Sequence, residues 1–422
     1  MVSIFTKTCL CGMVAAWLLA PALSDAQDSV IDALKRQMSE MQATMQKMAE
    51  RLEQLEKERA ANAANANPPA EPQPVMASAP SSGKGILNSF NPAISVNGLF
   101  GNGYSTNPAF TQSWSDPNFH NGFNFQEAEF QFTADVDPYF KSNMILAVDR
   151  AGKAEIEEGY VTSEQLPYDL LPRDTSLKLG KFYVDFGKQN LLHRHQFPFI
   201  NRPLINQAAF GDEGLKEPGM GVSYLLPTSW FSELTFQGLT GENESLFGRS
   251  SDFNPRGAYL GHWKNFFDLT DSTTVELGNS YIAGRNSDAG HRLSQAIGLD
   301  LTMKWRPLQQ STEKALIWQN EYIYFNRERE RDPSSRGGGL YSSLQYQFAR
   351  NWWIQGRYDL LGVPKLDDGR KNRWTTLLAL VPSEFSALRL QHSYTSQSNA
   401  KSVNEVLLQM NFTIGSHPAH KY

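Results

Sequence analysis

Residues 294–306 read SQAIGLDLTMKWR, with Pro307 following at once. Ile297, Leu299, Leu301, Met303 and Trp305 alternate with Gly298, Asp300, Thr302, Lys304 and Arg306. A period of two sends successive side chains to opposite faces of a β-strand, so this strand has one apolar and one polar face. Two environments suit it. In a soluble sandwich the apolar face looks into a protein core; in a membrane barrel it looks out at lipid and the charges line a lumen.

Other stretches repeat the pattern. Leu388, Leu390 and Tyr394 oppose Arg389, Gln391 and Ser393; Trp352, Ile354, Tyr358 and Leu360 oppose Gln355, Arg357 and Asp359. Val406, Leu408, Met410, Phe412 and Ile414 oppose Glu405, Gln409 and Asn411. The polar faces carry both signs: Lys304, Arg306, Arg357 and Arg389 against Glu127, Glu129, Glu233, Glu276, Asp300, Glu321, Asp359 and Glu405. A dry core does not tolerate such a density of charge, because unpaired buried ions cost several kcal/mol each. A wet lumen does.

Sixteen candidate strands follow from about residue 93 onward, and their connections alternate in length. Short ones include Asp-Val-Asp-Pro near 135–138, Pro-Thr-Ser at 227–229 and Ala349-Arg350. Long ones include GNGYSTNPAFTQSWSDPNFHN, GENESLFGRSSDFNPRG, NRERERDPSSRGG and GVPKLDDGRKN. EQLPYDLLPRDT, where a short turn is expected, is the exception. Short turns at one end and long loops at the other describe an up-and-down barrel. The expected fold is an all-β membrane barrel of about 16 antiparallel strands, over residues 93–422.

The segment before the barrel divides into three. Lys7, an apolar run and small residues at Ser24 and Ala26 mark residues 1–26 as a secretory signal peptide, too short to span a membrane. Both cysteines, Cys9 and Cys11, fall inside it, so the exported chain forms no disulfide. Within 27–59, Ile31, Leu34, Met38, Met41, Met45, Met48, Leu52 and Leu55 keep the 3,4 spacing of heptad a and d positions. The spacing predicts a short periplasmic coiled coil; a lone amphipathic helix is the alternative. Residues 60–92, rich in Ala, Pro and Ser, are a disordered linker.

With a periplasmic N-terminus the long loops are extracellular. The third, at 185–218, is the longest and contains Phe197-Pro198-Phe199-Ile200, which needs a surface to bury against. Folding into the barrel meets that need and brings Lys188, Arg194, Arg202, Asp212, Glu213 and Lys216 to a constriction. Asp300, Lys304, Arg357, Asp359 and Arg389 then complete the pore lining. A cap over the barrel mouth, or a contact with a neighbouring subunit, are the alternatives. His193 with His195, and His417 with His420, are spaced to chelate zinc or copper, although neither pair has an acidic or Cys partner nearby in sequence. Solvated or hydrogen-bonded histidines are the plainer reading.

LKLGKFYVDFGKQN at 177–190 resembles the strand-and-loop signature of the phosphate-selective porin O and P family. HRHQFPFINRPL, FGDEGLKEPGMGVSYLLP, GLDLTMKWRP and the tail GSHPAHKY are similar to outer-membrane barrels labelled zinc-regulated receptors. The porin resemblance implies a trimeric 16-stranded barrel with an anion-selective ladder of arginines and lysines. The mixed signs on the inner faces depart from such a ladder and give a transverse field instead. The receptor resemblance would imply energy-coupled uptake, yet the stretch ahead of the barrel leaves no room for a plug domain.

No nucleophile elbow or HExxH motif occurs, so an enzyme is not expected. A net charge of -5 offers nothing to nucleic acid. The reading is an outer-membrane porin of a Gram-negative bacterium, without cofactor, set in outer-membrane lipid as a homotrimer. It passes small hydrophilic solutes or ions by passive diffusion. Metal-linked (zinc) uptake, or a surface metal-binding barrel, is the alternative.

Overall fold

The computed structural model describes residues 92–107, 120–164, 166, 170, 172–248, 257–286, 292–328, 336–364, 369–398 and 400–415. The expected signal peptide, heptad segment and nearly all of the linker lie outside these residues, as do His417 and His420. Sixteen strands close into one antiparallel barrel in chain order, β16 pairing with β1. They are β1 (Ala93–Ser105), β2 (Gly122–Asp135), β3 (Lys141–Asp149), β4 (Ala154–Ser163), β5 (Thr175–Tyr183), β6 (Lys216–Leu225), β7 (Phe231–Leu239) and β8 (Ala258–Thr270). Then come β9 (Thr273–Arg285), β10 (Leu293–Trp305), β11 (Ala315–Arg327), β12 (Arg336–Ala349), β13 (Trp352–Leu361), β14 (Lys371–Ser383), β15 (Ser386–Gln397) and β16 (Ala400–Gly415).

The stretch at 294–306 forms most of β10, and its apolar side faces outward. Ile297 is 44% and Leu299 49% exposed, whereas Asp300 and Thr302 are buried inside. The same parity holds on β13, β15 and β16, where Ile354, Leu390 and Met410 are exposed and Arg357, Gln391 and Gln409 buried. Aromatic side chains crowd both rims of this apolar band. Trp230, Phe231, Trp352 and Phe385 lie exposed beside the turns at one end, and Tyr104, Phe123, Tyr259 and Trp374 near the loops at the other. Such girdles belong at the two interfaces of a bilayer.

The segregation of loop lengths is less strict than the sequence pattern leads one to expect. Besides the 164–174 connection, the link at 306–314 is long for its end and carries a 3-10 turn, Leu308–Gln310. At the opposite end, 150–153 is a tight turn.

The interior also departs from an open, wet lumen. Asp300, Glu321, Tyr341, Asp359 and Arg373 stand in register on neighbouring strands β10 to β14, all inward and all buried. What covers them is the chain itself. The connection between β5 and β6 folds into the bore and packs an apolar core there, with Phe186, Leu204, Ile205 and Phe210 against Ile323, Phe325 and Leu361 of the barrel. A second cluster joins Phe199 and Ile200 to Leu377, Ala379 and Leu407. Charges expected in water are thus buried, and in the clamp described below they survive there because they are paired.

Candidate functional site

The inward segment, 184–215, contains two 3-10 turns, Gln189–Leu191 and Arg194–Gln196, and one short helix, α1 (Leu204–Phe210). Gly187 starts the path inward with φ at 62°, a left-handed conformation that a side chain strains. Phe186 just before it finds room because β10 presents Gly298 there; a Cβ at that glycine would sit 2.6 Å from the Phe186 ring.

From there the segment is tied to the barrel nearly all the way round. The Gly187 amide donates to Ser280 of β9 (2.9 Å), and Lys188 pairs with Glu276 on the same strand (2.7 Å). Arg389 of β15 donates to the Phe197 carbonyl (2.8 Å), and the Ile200 amide donates to Gln391 (2.8 Å). Arg357 of β13 donates to the backbone and side-chain oxygens of Asn201, and Arg373 of β14 to the Arg202 carbonyl (2.6 Å). Both guanidinium groups also meet Asp359, at 2.9 and 3.3 Å.

The Asp359 carboxylate also accepts from the Leu204 amide at the N-terminus of α1 (3.0 Å). At the other end of α1, Arg327 of β11 donates to the Ala209 carbonyl (2.9 Å). An anion at the N-terminus and a cation at the C-terminus complement the helix dipole and satisfy its orphan backbone groups. Arg357 and Asp359, expected on an open pore wall, are therefore a clamp beneath the loop, 3% and 0% exposed.

The remaining candidate positions separate. Arg194 pairs with Glu127 (3.3 Å) and Glu213 (3.7 Å), while Lys216 bridges Glu155 and Glu213 (3.2 Å each). Arg202 is buried, its Nε donating to the Asp212 carbonyl and its guanidinium over the Phe197 ring. Asp300 is buried with one carboxylate oxygen lacking a protein partner, and Lys304 stays half-buried on the same strand. Lys188, Arg194, Lys216, Arg357 and Arg373 are matched by neighbouring carboxylates rather than stacked as a ladder.

His193 and His195 meet the acidic partners that their sequence neighbourhood lacks. Nδ1 of His193 lies 3.2 Å from Glu157 and 3.7 Å from Glu129, and its Nε2 lies 3.0 Å from Glu158. Burial pushes this imidazole's pKa down, but Glu129 and Glu157 overcome that and hold it well above the ordinary value. His195 reaches Glu129 through Nδ1 (3.1 Å), and its carbonyl accepts from Asn411 of β16 (3.0 Å).

Glu157, Glu158 and Arg373 are the residues that sequence reasoning missed. Arg373 was open to it, since Trp374 beside it points outward and parity sends Arg373 in. The glutamates were not. Adjacent strand residues face opposite ways, but β4 bulges where Ile145 pairs with Glu158 and Leu146 with Ile156. Glu157 is the extra residue, and both glutamates become buried inside.

No known protein-family profile matches the chain. A protein of Aquifex aeolicus (strain VF5), described only as uncharacterized, is 31% identical, the match covering 71% of this chain and 70% of the relative. Among solved structures, OprB of Pseudomonas putida superposes with a TM-score of 0.51 at 8% identity, covering 78% of this chain and 96% of that one. An anion-selective porin from Comamonas acidovorans gives 0.49 at 11%, covering 76% and 100%, and the outer membrane channel DcaP of Acinetobacter baumannii gives 0.48 at 12%, covering 77% and 96%. At 8% identity the likeness to OprB is one of fold.

Proposed function

We propose that this chain, which belongs to the same family as the Aquifex aeolicus protein, is an outer-membrane porin for passive diffusion of small hydrophilic solutes or ions. Its narrow section is the inward segment at 184–215. One observation carries the reading: a closed barrel with an apolar outside holds a loop across its bore, bonded to inner faces from β2 to β16. A barrel that served as an anchor alone would not need to set the width of its bore from within.

Solute choice then depends on the bore left beside the loop and on paired charges around it, not on a net anion trap. Three copies around one axis, held by the heptad segment, extend the proposal; cross-linking of the full chain in membranes should yield a trimer.

Conductance in planar bilayers tests the channel. The purified protein should give discrete open steps, and a variant lacking 189–213 should give steps several-fold larger. A closed wild type beside a conducting deletion variant would favour the surface-anchor reading. Silence from both would end the channel proposal.

A further inference from the structure

The buried cluster at the β2–β4 wall gathers three glutamates around His193, and one of their carboxylate oxygens has no protein partner. Several of its carboxylate oxygens are occupied. Glu157 Oε1 accepts from the Tyr183 hydroxyl, and Glu158 accepts from the Tyr183 amide (2.7 Å) and from Nε2–H of His193 (3.0 Å). On the other side of the ring, His193 Nδ1 lies 3.2 Å from Glu157 Oε2 and 3.7 Å from Glu129 Oε2. Glu129 is 1% exposed, and its second oxygen has no hydrogen-bond partner.

We infer that Glu129, Glu157 and His193 form a binding site for a borderline divalent cation of the zinc class, with His195 at hand as a fourth ligand and Glu158 as the carboxylate that orients His193. The spacing suits such an ion. Ligand atoms about 2.1 Å from a tetrahedral zinc stand roughly 3.4 Å apart, and the separations of 3.2 and 3.7 Å bracket that value. One ligand atom from each of the three residues lies within 4.8 Å of the others. His195 Nδ1 lies 3.1 Å from the same Glu129 oxygen.

The surroundings match a metal centre too. A ligating imidazole ordinarily gives its other N–H to a carboxylate, which fixes the tautomer and raises the basicity of the ligating nitrogen; Glu158 does this here. Imidazole with carboxylates and no thiolate selects zinc, nickel or cobalt over magnesium, which prefers oxygen and water. An ion at this site would join His193 of the inward loop to β2 and β4, pinning the loop by a bond no solvated side chain supplies. A second proton on His193 is the competing way to fill the position. The site is independent of conduction, since a barrel that passes no current would hold the same cluster.

The test uses the full chain folded in detergent, stripped with chelator, in a background with His417 and His420 replaced by Ala. Equilibrium dialysis against zinc with excess magnesium should leave one zinc per chain. Glu158→Gln should weaken retention by about 10- to 100-fold, and His193→Gln or Glu157→Gln should weaken it further. Heat-modifiable migration in gels checks that each variant is still a barrel. X-ray absorption of zinc-loaded protein with native ligands needs no variant there: nitrogen and oxygen neighbours at about 2.0–2.2 Å with imidazole scattering are expected. Absence of bound zinc, undiminished binding by His193→Gln, or a shell without imidazole would each overturn the site.

Discussion

Arg357 donates to Asn201 twice, to its backbone oxygen at 2.9 Å and its side-chain oxygen at 2.8 Å, joining β13 to a residue 156 positions earlier in the chain. The pair anchors the middle of the inward loop, and Asp359 between Arg357 and Arg373 holds the pair.

The order of two losses follows from that arrangement. Asp359→Ala leaves two buried guanidinium groups without their anion and the Leu204 amide without its acceptor, at a cost of about 3–5 kcal/mol. Arg357→Ala leaves Asp359 still paired with Arg373 and should cost less. Urea unfolding of the detergent-folded barrel measures both; the reverse order would mean that the loop bonds, not the carboxylate, carry the clamp.

Gly298 and Phe186 should behave as a unit. Gly298→Val places a side chain where the Phe186 ring lies, and overpacking of this kind costs roughly 1–3 kcal/mol. Adding Phe186→Ala should recover part of the loss. If the double variant is only the sum of two losses, the ring does not depend on that glycine.

The outer face gives a third prediction. Leu299→Arg puts a charge against lipid and should destabilise folding into bilayers by about 2–4 kcal/mol if it sits near the midplane. Thr302→Ser, facing inward, should change stability far less. Similar values would remove the distinction between the two faces of β10.

Loop polarity is open to surface labelling. Epitope tags inserted within 241–256 or 363–369 should be reached by antibody on intact cells, and tags at 226–230 or 350–351 only after lysis. The opposite pattern would invert the barrel.

How much of this was legible in the chain differs from element to element. All sixteen strands announce themselves, because lipid outside and polar groups inside impose a period of two on contiguous residues. The burial of Phe197 to Ile200 is also readable, since an apolar run in a long loop needs cover. Its partners Leu377, Ala379 and Leu407 are not, for they lie about two hundred residues away and interrupt an otherwise polar face. Nor could parity foresee charges that the loop covers, or two consecutive inward glutamates, because one bulged residue changes the phase of everything on that side of it.

His195 has a bearing on how such a barrel comes apart. The two ends of the sheet meet where β16 pairs with β1, and β2 lies next to that junction. His195 bonds to Asn411 on β16 through its carbonyl and to Glu129 on β2 through its ring. A single residue of the inward loop therefore spans the seam from within, like a latch behind a door. Prising β1 from β16, during assembly or under lateral strain, would require the loop to leave its seat as well, so the last step of closure and the seating of the loop become one event.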